Sequence, residues 1–166
     1  MSASDVHEIR IWDPDTWSCK TTLTGHSGGV YSVCICGEET LVSGSEDKTL
    51  KMWRIVDAST ILHCVRTLEG HRRKVASVCS YGDDKIVSGC FHVTRMDPRA
   101  WWGTPVEIKV WNTSSGECER TLQGHRYSVV CLCIHGDKLV SGSCGEIKIW
   151  DLASGACEMT MRAGVG

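Results

Sequence analysis

Histidine, serine and aspartate side chains recur along this 166-residue chain in an order that could support acyl transfer. Each of three Gly-His dipeptides is followed by a Val-Ser-Gly segment, which gives the pairs His26 and Ser43, His71 and Ser88, and His125 and Ser141. Together with an acid such as Asp47, a serine and a histidine make up a nucleophilic triad. A hydrolase needs one activated nucleophile beside an oxyanion hole, whereas this set recurs every 45 to 54 residues. The repetition favours a buried polar network that fixes local geometry, so we predict no catalytic residue and no enzyme activity.

Cysteine is the second residue type that could carry chemistry, since the chain has eleven of them. Cys34-x-Cys36 and Cys131-x-Cys133 each place two thiols on one face of a strand, and His135 could add a third zinc ligand. This spacing is shorter than the one usual at structural zinc sites, and the cysteines recur in separate repeats. We therefore expect packing roles for them, and neither a metal nor a cofactor.

Aligned repeats put most of these cysteines into two columns. Cys34, Cys79 and Cys133 share a place on a predicted first strand, where a small apolar residue fits between sheets. The second column is expected to pack on the outermost strand of each unit and consists of Cys19, Cys64, Cys118 and Cys157.

Charge and composition exclude several classes of protein. Lys plus Arg number 18 against 20 Asp plus Glu, so the chain lacks the basic excess of nucleic-acid binders. Its longest apolar stretches, such as 30–36, are far shorter than the roughly 20 residues of a membrane helix. The N-terminus is charged at Asp5 and has no apolar secretory segment, so we expect an intracellular protein, cytoplasmic or nuclear, with reduced thiols.

The chain consists of about three and a half copies of one unit. Each complete unit has a Gly-His dipeptide, a Val-Ser-Gly segment, a β-rich run that ends on Trp, and a Cys-x-x-Thr-Leu segment. These segments are short and β-branched, and turn residues separate them, which indicates four strands per unit. We predict fourteen strands, two from a half unit at 6–24 and four each from units at 25–69, 70–123 and 124–162. Such sheets cannot bury their faces alone, so the units must stack.

These units resemble WD40 repeats, whose signature is Gly-His near the start and Trp-Asp at the end. The resemblance covers nearly all of 6–161 outside one insertion and rests on three units in register. It implies an all-β fold of β-propeller blades, each a four-stranded antiparallel sheet, here in an open, incomplete arc.

The resemblance also implies one hydrogen-bonded set in each blade, made of the Gly-His imidazole, a serine, a turn aspartate and the Trp indole. The residues at these places are His26, Ser43, Asp47 and Trp53, then His71, Ser88 and Trp111, then His125, Ser141 and Trp150. The second and third units lack the aspartate, and Cys144-Gly145 stands at its place in the third. We therefore expect those two blades to be less rigid, because a buried donor without a partner is destabilising.

An insertion in the second unit marks the candidate binding surface. Ser88 and Trp111 are 23 residues apart, against 10 and 9 in the other units, and the excess lies in 91–105. In the family that the chain resembles, loops at this place and the Gly-His loops open onto one face that commonly binds partners. Arg and Trp are enriched at interface hot spots, and clustered Arg favours acidic or phosphorylated peptides. The candidate partner-binding residues are Arg72, Arg73, Lys74, Arg95, Arg99, Trp101, Trp102, Arg126 and Tyr127. A solvated loop and an error in the gene model are the alternative interpretations of the insertion.

The function that the resemblance implies is a non-enzymatic scaffold that binds partner proteins or peptides through loops on one face. The alternative is a fragment of a longer WD40 protein, such as a ubiquitin-ligase substrate receptor or a kinase-associated propeller, with no recognition role of its own. A closed ring needs about four blades or more, so exposed blade edges and self-association are expected here.

Overall fold

The chain forms four antiparallel β-sheets that stack side by side in an open arc. The computed structural model describes residues 2–3, 7–57, 60–91 and 106–162. Nowhere in these ranges is there a helix long and apolar enough to pass through a lipid bilayer.

Each sheet is a meander in which successive strands pair in sequence order. The first sheet, which we call the partial blade, contains β1 (Ser2–Ala3), β2 (Glu8–Trp12) and β3 (Cys19–Thr24). Blade 1 contains β4 (Val30–Cys36), β5 (Thr40–Ser45), β6 (Leu50–Asp57) and β7 (Thr60–Leu68). Blade 2 contains β8 (Val75–Tyr81), β9 (Lys85–Cys90), β10 (Val106–Asn112) and β11 (Cys118–His125). Blade 3 contains β12 (Val129–His135), β13 (Lys138–Ser143), β14 (Glu146–Asp151) and β15 (Cys157–Arg162).

The predicted all-β fold of four-stranded antiparallel sheets is confirmed, with one difference in the partial blade. The sequence predicts two strands there, but β1 adds a third by pairing Ala3 with Ile9 and Ser2 with Arg10. A two-residue strand is too short to show an alternating pattern, so its signal is absent from the sequence.

One apolar core fills each gap between neighbouring sheets. The core between blades 1 and 2 joins Leu50 and Met52 on β6 to Val75 and Val78 on β8 and to Trp111 on β10. The gap between the partial blade and blade 1 is filled by Ile9, Leu23, Val30, Leu41 and Trp53. The gap between blades 2 and 3 is filled by a larger apolar set, which consists of Val87, Cys90, Val106, Ile108, Val110, Leu122, Val129, Leu139, Trp150 and Leu152. Stacking therefore creates the hydrophobic core of this protein, as expected for sheets that cannot bury their faces alone.

Two glycines allow the blades to approach closely. A Cβ atom on Gly44 would lie 2.6 Å from Val75 Cγ1, and one on Gly89 would lie 2.6 Å from Val129 Cγ1. Each glycine thus makes room for the first valine of the next blade. Gly142 is the corresponding residue of blade 3, and a Cβ there would meet only Cys131 of its own blade.

Arginine side chains connect blade 1 to blade 2 and blade 2 to blade 3. Arg66 on β7 donates to the carbonyl oxygens of Ser114, at 2.9 Å, and of Ser115. Arg120 on β11 donates in the same way to Ala153 O at 2.9 Å. Each arginine holds the turn between the third and fourth strands of the following blade. Met159 stands at this place in blade 3.

Candidate functional site: the Gly-His face and its histidine networks

Blade 1 contains a four-residue hydrogen-bond network on strands β5 and β6 and the loops beside them. His26 Nδ1–H donates to Asp47 Oδ2 at 2.7 Å, and Ser43 Oγ–H donates to His26 Nε2 at 2.7 Å. Trp53 Nε1–H donates to Ser43 Oγ at 2.9 Å. Asp47 also accepts from the main-chain N–H of Ser27 at 3.0 Å. Each polar group that the network buries therefore has a partner, which is what a buried network needs in order to stabilise a fold.

Blade 3 has an acid that the sequence analysis missed. His125 Nδ1–H donates to Glu146 Oε1 at 2.8 Å, while Ser141 Oγ lies 2.6 Å from His125 Nε2 and 2.7 Å from Trp150 Nε1. The turn aspartate is absent from this blade, but the expectation that a buried donor therefore lacks a partner is wrong for His125. The sequence argument sought an aspartate in the turn, but a glutamate at the start of β14 is long enough to reach the imidazole. A Glu directly before the Ile-Lys-Ile-Trp run was the available signal.

Blade 2 lacks such an acid among the described residues. Ser88 Oγ lies 2.6 Å from His71 Nε2 and 2.8 Å from Trp111 Nε1, as in the other two blades. His71 Nδ1 is buried, and none of the residues in the described ranges is its hydrogen-bond partner. Glu107 is the counterpart of Glu146 in sequence, but its Oε2 atom lies 3.5 Å from Lys109 Nζ instead.

Burial lowers the pKa of all three network histidines. For His26 and His125 the acid partner works in the opposite direction and offsets part of this effect. For His71 the described part of the chain offers no acid partner, and the charge of Lys109 adds to the effect of burial, so its pKa falls to about 3. Burial raises the pKa of Asp47, but hydrogen bonds, first from Thr49 and then from His26, outweigh this effect and bring it to about 2.

Mild acid should destabilise the protein through His71. The folded chain keeps this imidazole neutral down to about pH 3, whereas the unfolded chain takes up the proton near the ordinary value of 6.5. Unfolding therefore binds a proton in this range, and the free energy of unfolding falls by roughly 1.4 kcal/mol per pH unit below 6.5. Urea unfolding at pH 6.5 and pH 5 should show a loss of about 2 kcal/mol from His71 alone.

Two variants distinguish this contribution from those of other groups. His71→Gln should lose less stability than the wild type over the same pH interval, whatever its stability at pH 6.5. His135→Gln, a change at an exposed histidine, should retain the wild-type dependence on pH. Identical pH dependence in wild type and His71→Gln would contradict the assignment.

The Gly-His loops and the turns between second and third strands meet at one end of the blades, which we call the Gly-His face. Glu46 N–H donates to Gly29 O at 2.8 Å, and Phe91 N–H donates to Lys74 O at 2.9 Å. In blade 3, Ser143 Oγ–H donates to Tyr127 O at 3.0 Å. These hydrogen bonds join the loop before the first strand of each blade to the end of its second strand, so they fix the position of the loop residues.

Five of the nine candidate partner-binding residues can be placed on the Gly-His face, namely Arg72, Arg73, Lys74, Arg126 and Tyr127. Arg72, Arg126 and Tyr127 are exposed, and Arg73 and Lys74 are partly buried. The other four, Arg95, Arg99, Trp101 and Trp102, lie outside the described residues.

Lys74 forms an ion pair with Glu46 of blade 1, and Tyr31 Oη–H donates to the same carboxylate at 3.2 Å. The ring of Tyr31 also packs edge-on against Phe91, with ring centroids 5.1 Å apart. This contact joins blade 1 to Phe91, the first residue of the insertion.

The two cysteine columns differ in burial. Cys34 and Cys79 pack against the cores between blades, and burial raises the pKa of both thiols to about 12. Cys133 is exposed because no blade follows it in the structure. The expected packing of the outer column is wrong for Cys19, Cys118 and Cys157, which are exposed. No group of three His, Cys, Asp or Glu side chains within the described ranges is arranged to hold a metal ion.

Blade 3 has an apolar surface on the side away from blade 2, which we call the open face and define by Val140, Ile147, Ile149, Met159 and Met161. Ile147 is 44% exposed, whereas the residues at its place in blades 1 and 2, Leu50 and Ile108, are 0% and 1% exposed. The open face therefore has the apolar composition of the faces that are covered by the next blade in blades 1 and 2, but no described blade covers it.

The family described as WD domain, G-beta repeat matches the chain at residues 17–54, 62–92 and 116–151. These segments together make up more than half of the chain. Each starts near the outermost strand of one sheet. The first and third run to the Trp-bearing strand of the next sheet, while the second stops at the insertion.

Curated relatives are similar over short segments only. The Periodic tryptophan protein 2 homolog of Caenorhabditis elegans is 43% identical over 56 residues, which cover 34% of this chain and 6% of the relative. Pre-mRNA-splicing factor PRP46 of Candida albicans is 37% identical over 65 residues, which cover 39% of this chain and 17% of the relative. The chain therefore spans only a small part of these relatives.

Two solved structures share the fold along almost the whole chain. The structure of U3-55K matches with a TM-score of 0.78 and 23% identity, covering 96% of this chain and 45% of its own. The WD40 β-propeller domain of Doa1 matches with a TM-score of 0.77 and 21% identity, covering 97% of this chain and 49% of its own. At such identities the likeness concerns the fold alone, and this chain spans about half the length of each structure.

Proposed function

Because the chain belongs to the WD40 family of WD-domain, G-beta repeat proteins, we propose that it binds acidic peptide segments of partner proteins through its Gly-His face. Proteins of this family generally act as non-enzymatic interaction scaffolds. The proposed surface comprises the described residues Arg72, Arg73, Lys74, Arg126 and Tyr127, and by sequence Arg95, Arg99, Trp101 and Trp102.

The concentration of cationic side chains on one face of a chain with a net charge of −2 is the observation that supports this proposal. Arg72 and Arg126 are exposed in equivalent loops of neighbouring blades. Glu46 on the same face pairs with Lys74 and accepts from Tyr31, so its negative charge is compensated. Guanidinium groups bind carboxylates with two parallel hydrogen bonds, which suits an acidic peptide.

A charge reversal tests the proposed surface. The double variant Arg72→Glu and Arg126→Glu should reduce the affinity for a labelled peptide rich in Glu by at least about tenfold, because two attractive charges become repulsive. Fluorescence anisotropy at physiological salt is the measurement.

Arg54→Glu is the matched control. Arg54 on β6 lies opposite Thr40 in the ladder with β5, at the end of blade 1 that is farthest from the Gly-His face. It should leave the affinity within about twofold of the wild type. Equal losses in both variants would contradict a site on the Gly-His face. For the residues known only by sequence, a pull-down with Arg95, Arg99, Trp101 and Trp102 replaced by alanine should recover less partner.

A second proposal follows from the open face: the chain works as part of a longer WD40 assembly, with a further blade against blade 3. The counterparts of Ile147, Leu50 and Ile108, are buried in blades 1 and 2. This proposal is compatible with the first, because the Gly-His face and the open face are different surfaces. An intracellular setting is also proposed, supported by eleven free thiols and by the splicing factor among the relatives.

A further inference from the structure

The two ends of the arc differ in a matched way from the junctions between its blades. At two of these junctions, an arginine on the last strand of one blade lies over a glycine in a turn of the next blade. A Cβ atom on Gly116 would lie 2.8 Å from Arg66 Cδ, and one on Gly155 would lie 2.6 Å from Arg120 Nη1. Each arginine therefore needs a residue without a side chain beneath it.

The partial blade has Trp17 at the place of these glycines. Its N–H donates to Asp13 O at 2.9 Å, as that of Gly116 does to Asn112 O at 2.9 Å, so the two turns have the same hydrogen bond. Trp17 has a φ of 55°, a left-handed conformation that is strained for a bulky residue, whereas glycine adopts it readily. Its side chain is 78% exposed. A strained tryptophan that gains so little burial within its own chain indicates a contact with another one.

Blade 3 has Met159 at the place of the arginines. It lies opposite Ile149 in the last ladder of its blade, as Arg120 lies opposite Val110 in blade 2. Met159 is 52% exposed and has no group that could donate to a carbonyl oxygen. Arginine over glycine at the internal junctions thus becomes methionine at one end of the arc and tryptophan at the other. A thioether packs favourably against an aromatic ring, so the two changes suit each other.

The apolar residues at the two ends of the arc are complementary as well. Trp12 is 39% exposed, whereas Trp111 at the same place in blade 2 is 1% exposed and belongs to the same core as Leu50 of blade 1. Ile147 is the counterpart of Leu50 on the open face and is 44% exposed. We call the side of the partial blade with Trp12 and Trp17 the start face. The start face and the open face each offer the half of an interblade core that the other one needs.

We propose that two copies of this chain close into one ring, in which the open face of each copy packs against the start face of the other with Met159 over Trp17. The inference rests on the proposed blade against blade 3 and identifies that blade as the partial blade of a second copy. The new junction continues the interface that already joins the sheets within one chain. Two copies with four sheets each supply eight sheets, and propellers typically have about four to eight blades. A head-to-tail contact that closes in this way covers both ends of each arc.

The first experiment follows the association of the full chain by sedimentation velocity over a wide range of concentration. The wild type should reach twice 18.3 kDa and grow no further, because a closed ring has no uncovered end. Trp17→Gly should weaken the dimer by at least about tenfold, the effect of losing a tryptophan anchor from an interface. The fold should be retained, since glycine adopts a φ of 55° without strain.

Val65→Ala is the matched control for the loss of an exposed apolar side chain. Val65 is 47% exposed on β7 of blade 1, away from both ends of the arc, so the variant should dimerise within about twofold of the wild type. Equal losses in Val65→Ala and Trp17→Gly would overturn the inference. A wild type that stays monomeric, or that grows beyond two copies, would also overturn it.

A second substitution tests whether positions 17 and 159 meet between copies. Met159→Arg added to Trp17→Gly recreates the arginine and glycine of the internal junctions, so the double variant should dimerise within about threefold of the wild type. These positions lie at opposite ends of one chain, so recovery requires contact between two copies. A double variant that dimerises no better than Trp17→Gly would overturn the inference.

Ile147→Lys distinguishes this inference from the proposal on which it rests. Both predict that the variant loses association, since both cover the open face. Loss in Ile147→Lys with none in Trp17→Gly would show that a different surface covers the open face, which overturns the ring and leaves the proposed blade against blade 3 standing. Association that Ile147→Lys leaves unchanged would contradict both.

Discussion

Replacing Trp111 with alanine should destabilise the chain by about 3–5 kcal/mol, the usual effect of removing a large buried aromatic side chain. Trp111 is 1% exposed and lies in the core shared by blades 1 and 2. Its Nε1–H donates to Ser88 Oγ at 2.8 Å, and its ring lies 5.8 Å from that of His71, measured between centroids. One substitution therefore removes packing between two blades and a member of the blade 2 network. The free energy of unfolding in urea at neutral pH is the measurement.

Trp12→Ala provides the matched control. Trp12 ends β2, the strand of the partial blade that corresponds to β10, and it is 39% exposed because no blade precedes it in the structure. Its removal should reduce the free energy of unfolding by less than half as much as Trp111→Ala. Similar losses at the two positions would contradict the conclusion that stacking, more than the strand itself, creates the core.

The purified chain should self-associate, and Ile147→Lys should shift it strongly toward a monomer. The open face exposes Ile147, Met159 and Met161 side by side on paired strands, and the residues at the places of Ile147 and Met161 are buried in blades 1 and 2. Exposed apolar patches and exposed strand edges promote association, and a lysine in the middle of the patch opposes it. Light scattering should give a mass well above 18.3 kDa for the wild type and close to it for the variant.

Val65→Lys is the control for this experiment. Val65 is 47% exposed on β7 of blade 1, away from the open face, so its replacement should leave the association unchanged. A monodisperse wild-type monomer would contradict the prediction. An equal effect of both substitutions would show that added charge, and not the open face, determines the association.

The repeated residues made most of the fold predictable. Gly-His, Val-Ser-Gly and the Trp-terminated strand recur in the same order, with nearly constant spacing outside the insertion, and each recurrence corresponds to one blade with the same pairing register. The sequence argument failed where the acid that accepts from the histidine stands at a different position and is a different residue type. Glu146 does in blade 3 what Asp47 does in blade 1, but from a strand and with a longer side chain.

Contacts between blades were less predictable than contacts within them. The arginines at 66 and 120 occupy equivalent places, yet nothing in their spacing indicates that they reach carbonyl oxygens of the following blade. The second unit lacks the turn aspartate in sequence, but only the structure shows that no described acid replaces it beside His71, as Glu146 does beside His125. The role of the insertion stays a prediction, since residues 92–105 lie outside the described ranges.

The arginine contacts couple blades 1, 2 and 3 to one another more strongly than the partial blade is coupled to blade 1. Repeat proteins unfold according to nearest-neighbour coupling, and Arg66 and Arg120 strengthen two successive couplings. The partial blade has Thr21 at the same place, a side chain too short to bridge in this way. Blades 1 to 3 therefore form the cooperative unit, and the partial blade is the segment whose amides exchange first with solvent.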